Sequence, residues 1–362
     1  MSSKARQLAD LGNQVDDGAI TGSNMVINGG MTISQRGTSF VSPANDDFLL
    51  DRVMYQYNGT TARITATQES DGVGGVSPKS LKAQITTAAN SSPSATDYTQ
   101  FVYNFEGNDV NHLSLGNSSC KTITLSFYIK CSTTGTLPIG VSNAGTRSFP
   151  ATYNVTEANV WQRHIIKIPP VTDGGWGSGI NTGLGLRLGL EYGSNYTGGT
   201  ANEWNSISAF ANFTTTYTNP VASTLNATWQ ITGVCLNVGD SAIDFPHRSY
   251  GDELARCLRY YEVFHAGSQT GYLAIGNWWT SNQARCILQY TEKRTNPSIS
   301  ASDVICYQSG SGTEYSLSET IDDAHSTHAL LYGGVSGAST TQGHSLQMLV
   351  GANGSIQIDA EL

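Results

Sequence analysis

Thr122-Ile-Thr-Leu-Ser-Phe-Tyr-Ile-Lys130 (TITLSFYIK) alternates apolar and polar side chains along its whole length. In an extended chain Ile123, Leu125, Phe127 and Ile129 face one way, and Thr122, Thr124, Ser126, Tyr128 and Lys130 the other. Period two with one polar face predicts an antiparallel strand whose apolar side packs on a second sheet. The second half of WQRHIIKI, ending at Ile168, alternates in the same way.

The surrounding composition agrees. Charged residues are 13% of the 362, hydrophobic residues 38%, and there are 39 glycines. The charged share is about half the usual value. That is too few Glu, Lys and Arg to cover exposed helix faces, while the apolar content is too high for disorder. Strand candidates from Met25–Ile27 to Thr228–Leu236, joined by Gly- and Asn-rich turns, predict a jelly-roll-type β-sandwich over residues 25–240. Within it, residues 170–183 and 193–227 read as long loops, of the length that is usually functional.

Residues 1–12 read as a short helix, with Leu8 and Leu11 on one face, and 13–24 as a polar linker. So short a helix needs something to dock on, and 1–24 are expected to act as an anchor. Residues 241–262 hold the densest charge. From Tyr250 the spacing of Leu254, Leu258 and Tyr261 predicts a bridging helix, with Gly251 or Asp252 near its cap. Residues 263–362 return to short strands, Ser345–Val350 and Ser355–Glu361 among them, and predict a smaller C-terminal β-sandwich. The fold class is therefore all-β with short N-terminal and bridging helices.

The formal charge is −9, with 19 basic against 28 acidic residues and no basic stripe. Nucleic acid is not expected as a partner. No apolar run has the length of a membrane span, and MSSKARQLADLG lacks the apolar stretch of a secretion signal. The Asn-x-Ser/Thr triplets read as a by-product of polar composition. Cys120, Cys131, Cys235, Cys257, Cys286 and Cys306 form no C-x-x-C pair, and an extended strand holds Cys120 and Cys131 too far apart to bond. Free thiols and no zinc site are expected.

No nucleophile elbow, P-loop or H-E-x-x-H motif is present. His325 and His328 beside Asp322 and Asp323 are the best metal-like cluster, read as a solvated loop; no metal and no cofactor are expected. Glu106, Glu157, Glu191 and Glu203 form no catalytic pattern. Candidate ligand contacts are aromatic: Trp176 in GGWGSG, and Tyr192, Tyr196 and Trp204 in LEYGSNYTGGTANEW. Rings flanked by Gly and Asn can stack on a sugar while amides take its hydroxyls. The alternative is that these rings fold back onto the sandwich edge as local core. Of Trp278 and Trp279, adjacent in a strand, one faces in and one out, the outer one toward a subunit contact.

Two stretches carry a family resemblance. SKARQLADLGN, NMVINGGMTISQRGTSF and DRV at the start, and ITGVCLNVGDSAIDFPHRSYGDELARCLRYYE further on, resemble tail-fibre and virion-structural proteins of marine and cyanobacterial bacteriophages. Asn28, Gly29, Gln35, Arg36, Gly37, Asp51 and Arg52 match the first motif as fold-defining positions. Pro246 and Asn237 depart from the second, where Glu is usual. The resemblance implies a non-enzymatic fibre or spike subunit, most readily a tail fibre. It implies a homotrimer with a carbohydrate-binding-like jelly roll, located on the virion tail or head surface and assembled in the host cytoplasm. The N-terminus would contact other virion proteins, and the loops a host-surface glycan. Phe245, His247, Arg248, Tyr250, Asp252, Glu253, Arg256 and Arg259 would form the oligomer interface; the alternative for their charges is intrachain pairing. A head-decorating or tail-adaptor protein without a receptor is the second functional reading, and a glycan depolymerase the third.

Overall fold

A computed structural model describes residues 24–362 apart from 60, 144, 208–211, 266–269, 309–312, 336–337 and 339. The expected N-terminal helix, and the linker up to residue 23, lie outside the described residues. The chain divides into two compact units, one reaching Glu253 and including Leu362, the other Leu254–Glu361.

The first unit is a β-sandwich of two six-stranded antiparallel sheets. One sheet runs Ser39–Val41 (β1), Arg63–Glu69 (β3), Ser80–Thr87 (β4), Thr228–Val238 (β12), Ile123–Cys131 (β6) and Gln162–Ile168 (β9) in spatial order. The other runs Asn205–Ser206 (β11), Arg147–Val155 (β8), Gly135–Ser142 (β7), Thr182–Tyr192 (β10), Tyr98–Glu106 (β5) and Met54–Asn58 (β2). A single helical turn, Gly107–Val110 (α1), follows β5.

The alternation in β6 works as expected on its apolar side: Ile123, Leu125, Phe127 and Ile129 are buried. Phe127 meets Tyr153 of the opposite sheet edge-on at 5.2 Å. Trp229 stacks on Phe101 at 4.9 Å and donates its indole N–H to the Tyr153 hydroxyl at 2.9 Å. The polar side is not solvated throughout. Thr124 and Ser126 are buried too, and Thr124 donates to the Gly239 carbonyl where the chain returns over the sheet.

Met25–Ile27 is not a strand. Asn24 instead clamps this segment to β12: its side-chain oxygen accepts from the Val26 and Leu236 N–H groups, and its amide donates to the Val234 carbonyl. The turn that follows puts Asn28 at φ 60°, and a Cβ on Gly29 would lie 2.1 Å from the Val234 carbonyl oxygen, so only glycine fits. The Asn28 side chain bonds Ile33 and the Asp51 carbonyl, and both Asp51 carboxylate oxygens accept from Gln35. These motif positions are structural.

Tyr250–Leu258 (α2) forms where the spacing predicts it. Its cap is Ser249, with Gly251 and Asp252 in the first turn beside it. The Ser249 hydroxyl accepts from the Asp252 N–H at 3.1 Å and donates to the Asp252 carboxylate at 2.7 Å, a side-chain N-cap within HRSYGDEL.

The second unit has Tyr261–His265 (β13), Gly271–Thr280 (β14), Gln283–Gln289 (β15), Ser298–Gln308 (β16), Glu314–Asp322 (β17), His328–Val335 (β18) and Ser345–Asp359 (β19). They form one sheet in the order β13-β19-β14-β15-β18-β17-β16, closed by a further β19–β16 pairing into a barrel-like form whose walls face across a common core. Strands read separately at 345–350 and 355–361 are the one long β19, which pairs β14 along its first part and β13 along its last. Trp278 is buried and Trp279 half exposed, with the Arg285 guanidinium 3.8 Å over its ring.

Candidate functional site

Strand β10 reads Thr-Gly-Leu-Gly-Leu-Arg-Leu-Gly-Leu-Glu-Tyr. Leu184, Leu186, Leu188 and Leu190 are buried, which leaves Gly185, Arg187 and Gly189 for the outer face. A register shift between Gly189 and Glu191 re-aims the end of the strand. Glu191 pairs with the buried Thr99 and turns inward, while Tyr192 pairs with Tyr98 and lies on the same face as Arg187, buried as local core with Ile207 and Phe213.

The two glycines clear the surface for what crosses it. A Cβ on Gly185 would meet all three outer guanidinium atoms of Arg187 at 2.7–2.9 Å, and one on Gly189 would meet the Tyr192 ring at 2.2 Å. The guanidinium and the ring therefore lie flat along the strand.

Above them opens a pocket of about 520 Å³, lined by Gln56 and Asn58 of β2, Tyr98 and Gln100 of β5, Arg187 and Tyr192 of β10, Asn143 after β7, and Tyr196 and Phe213 from the long loop. This volume suits a small-molecule ligand. Tyr196 meets Tyr98 edge-on at 5.5 Å and lies 6.1 Å from Tyr192. A hydrogen-bond relay orients the floor: the Tyr192 hydroxyl donates to Gln100 (2.6 Å), Gln100 to Gln56 (3.0 Å), and Gln56 to Asp46 (2.6 Å). Asn143 is structural, because its oxygen accepts the N–H groups of Gly145, Thr146 and Arg147.

Arg187 carries the one formal charge among the lining residues. Its Nη1 donates to Asn104 Oδ1 at 3.0 Å and, weakly, to the Leu186 carbonyl at 3.4 Å. Among the described residues no carboxylate pairs with it. Desolvation lowers its pKa to about 10, which leaves it charged at neutral pH.

Of the four aromatic candidates, the structure brings Tyr192 and Tyr196 into this pocket; Trp176 and Trp204 do not line it. The two indoles pack edge-on at 5.6 Å, and Trp204 also lies 5.5 Å from Phe149. Each indole N–H donates to a backbone carbonyl, of Asp173 and Pro169 respectively. They are half-buried loop staples. Gln56, Asn58, Tyr98, Gln100 and Arg187 were not singled out from the sequence; an Arg between two glycines on the outer face of a Leu-alternating strand was the available signal.

Glu191 lines a second hollow of about 390 Å³ with Tyr217, Thr218 and Asn219 among others. Burial raises its carboxyl to about 7; one oxygen has no partner, and the other accepts only long bonds from Ala62 and Thr99.

At the bridge, Arg248 pairs with Glu253 of its own chain at 3.2 Å and donates to the Asn24 and Val26 carbonyls, while Glu253 also accepts from the Asn28 N–H. Asp252 serves the Ser249 cap. Phe245 and His247 meet edge-on at 6.3 Å, and His247 lies 3.2 Å from the Gly75 carbonyl. Tyr250 and Arg256 are exposed and Arg259 half-buried. His325 and His328 lie exposed with rings 4.9 Å apart, and among the described residues no three His, Cys, Asp or Glu side chains group as metal ligands.

No protein-family model matches the chain, and neither does any curated protein. Solved structures that match part of the chain include the enzymatically active domain of tailspike protein 4 of bacteriophage CBA120, at 10% identity and TM-score 0.33. That match covers 60% of this chain and 22% of the tailspike chain. A family 4 carbohydrate-binding module matches at 14% identity and TM-score 0.29, covering 59% of this chain and 100% of its own. A family 11 module of a Clostridium thermocellum cellulase matches at 12% and TM-score 0.28, covering 55% and 94%. At such identities, and at TM-scores below 0.5, the likeness identifies neither a family nor a ligand.

Proposed function

We propose that this chain is a non-enzymatic attachment subunit of a bacteriophage fibre or spike, and that it binds a host-surface glycan in the pocket above β2, β5 and β10. The observation that carries the glycan reading is the lining itself: the partly exposed rings of Tyr98 and Tyr196 at its walls, Tyr192 packed beneath them, and oriented side-chain amides at its floor. Aromatic faces offer a platform for the C–H face of a sugar, and amides offer donors and acceptors to its hydroxyls. The phage assignment rests on the motifs at residues 3–13, 24–40, 51–53 and 231–262. A homotrimer is the assembly we propose, supported by exposed Tyr272, Ile275 and Ile287 on the barrel wall, where Ile275 and Ile287 are neighbours beside the Gly276–Cys286 pair.

Purified protein applied to a glycan array is expected to bind, and Tyr196→Ala, which also gives up ring contacts with Tyr98 and Tyr192, to weaken binding about tenfold or more while the protein stays folded. Sedimentation should give the mass of three chains. No retained glycan, or glycan binding indifferent to Tyr196, would overturn the site; a monomer would overturn the assembly.

A further inference from the structure

The glycan reading explains the rings and amides of the pocket but not its charge. A neutral sugar needs no guanidinium, and an unpaired charge in a partly desolvated site is costly. The Arg187 guanidinium lies 6.0 Å from the Phe213 ring, and of its nitrogens only Nη1 makes hydrogen bonds, to the neutral Asn104 and Leu186 oxygens. Nε and Nη2 make no hydrogen bond within the described residues, and neither is a sealed, buried orphan. Together they form one edge of the planar fork, the edge that takes both oxygens of a carboxylate side-on. Gly185 keeps the guanidinium flat on the strand. Asp46, the acid that ends the relay, accepts from Gln56 and Asn45.

We propose that the pocket selects a carboxylate-bearing sugar, a uronic acid or another acidic monosaccharide unit, whose carboxylate docks side-on against Nε and Nη2 of Arg187 while its ring lies among Tyr98, Tyr192 and Tyr196. The inference rests on the glycan reading of this pocket and names the ligand class within it. The carboxylate supplies the counter-charge that the protein does not, and the geometry favours a planar two-oxygen anion over a hydroxyl.

An array carrying neutral glycans, uronic-acid glycans and the methyl esters of the same uronic acids tests it, with titration of an oligogalacturonate and its methyl ester for affinities. Wild-type protein is expected to prefer the free acid over the ester by roughly 10- to 100-fold, the worth of a charge-assisted bidentate bond. Arg187→Met should abolish that preference and leave weak, equal binding of both. Gly185→Ala should reduce it without a change in unfolding midpoint, because its methyl group displaces only the far end of a flexible side chain. Tyr196→Ala should weaken acid and ester alike. Binding of neutral glycans alone, equal binding of acid and ester, or an acid preference that survives Arg187→Met would overturn the inference and leave the glycan reading standing. No bound glycan of any kind would overturn both.

Discussion

Replacing Glu191 by Gln is expected to stabilise the protein at neutral pH and to do little below pH 5. The carboxyl is buried, with one oxygen unpartnered and its other bonds long, at 3.4 Å each. Its pKa rises from an ordinary 4.5 to about 7 in the folded chain. Below 4.5 both folded and unfolded chains carry the proton, so Glu and Gln are nearly equivalent. Between 4.5 and about 7 the unfolded chain has released the proton and the folded chain has not, so wild-type stability falls as pH rises, by about 1.4 kcal/mol per pH unit. Above the folded value both states are ionised and the loss levels off. The full span amounts to at most ~3 kcal/mol. Denaturant unfolding of wild type and Glu191→Gln in parallel, at roughly pH 5, 6, 7 and 8, measures the difference. The advantage of the variant should grow across that series and flatten near its end. A pH-independent difference, or a wild type that gains on the variant as pH rises, would refute the reasoning.

Arg248→Met leaves the Glu253 carboxylate half-buried without its partner and frees the Asn24 and Val26 carbonyls; it should cost about 2–4 kcal/mol in denaturant unfolding, and adding Glu253→Gln should recover part of that. All six cysteines are free and buried, and burial raises the thiols of Cys235 and Cys286 to about 12. A thiol reagent should therefore label almost nothing in native protein and six groups in denaturant; fewer than six would reveal a disulfide.

The β character, the core face of β6, the bridging helix and the inward–outward pair Trp278–Trp279 were legible in the residues alone. Each depends on local periodicity, which the chain carries in its order of side chains. Strands β13 and β17 were not, since YEVFH follows directly on a helical spacing and the polar SLSETID stretch shows no strong apolar face. The merging of two short segments into β19 was also hidden, because a strand's length is set by the neighbours that pair with it.

The pocket was half legible. Tyr192 and Tyr196 stood out as aromatics among glycine and asparagine, and so did Trp176 and Trp204, which the fold puts to another use. Composition cannot distinguish a ring that lines a hollow from one that staples a loop, because the difference lies in which carbonyls and rings the fold brings beside it. Arg187 shows the same division most clearly. Its position on the outer face of a strand follows from the alternation of leucines around it. That it lacks a carboxylate, lies flat over Gly185 and shares a pocket with Tyr98, Gln100 and Gln56 follows from the pairing of β10 with β5, and of β5 with β2, contacts made across scores of residues that no local pattern encodes.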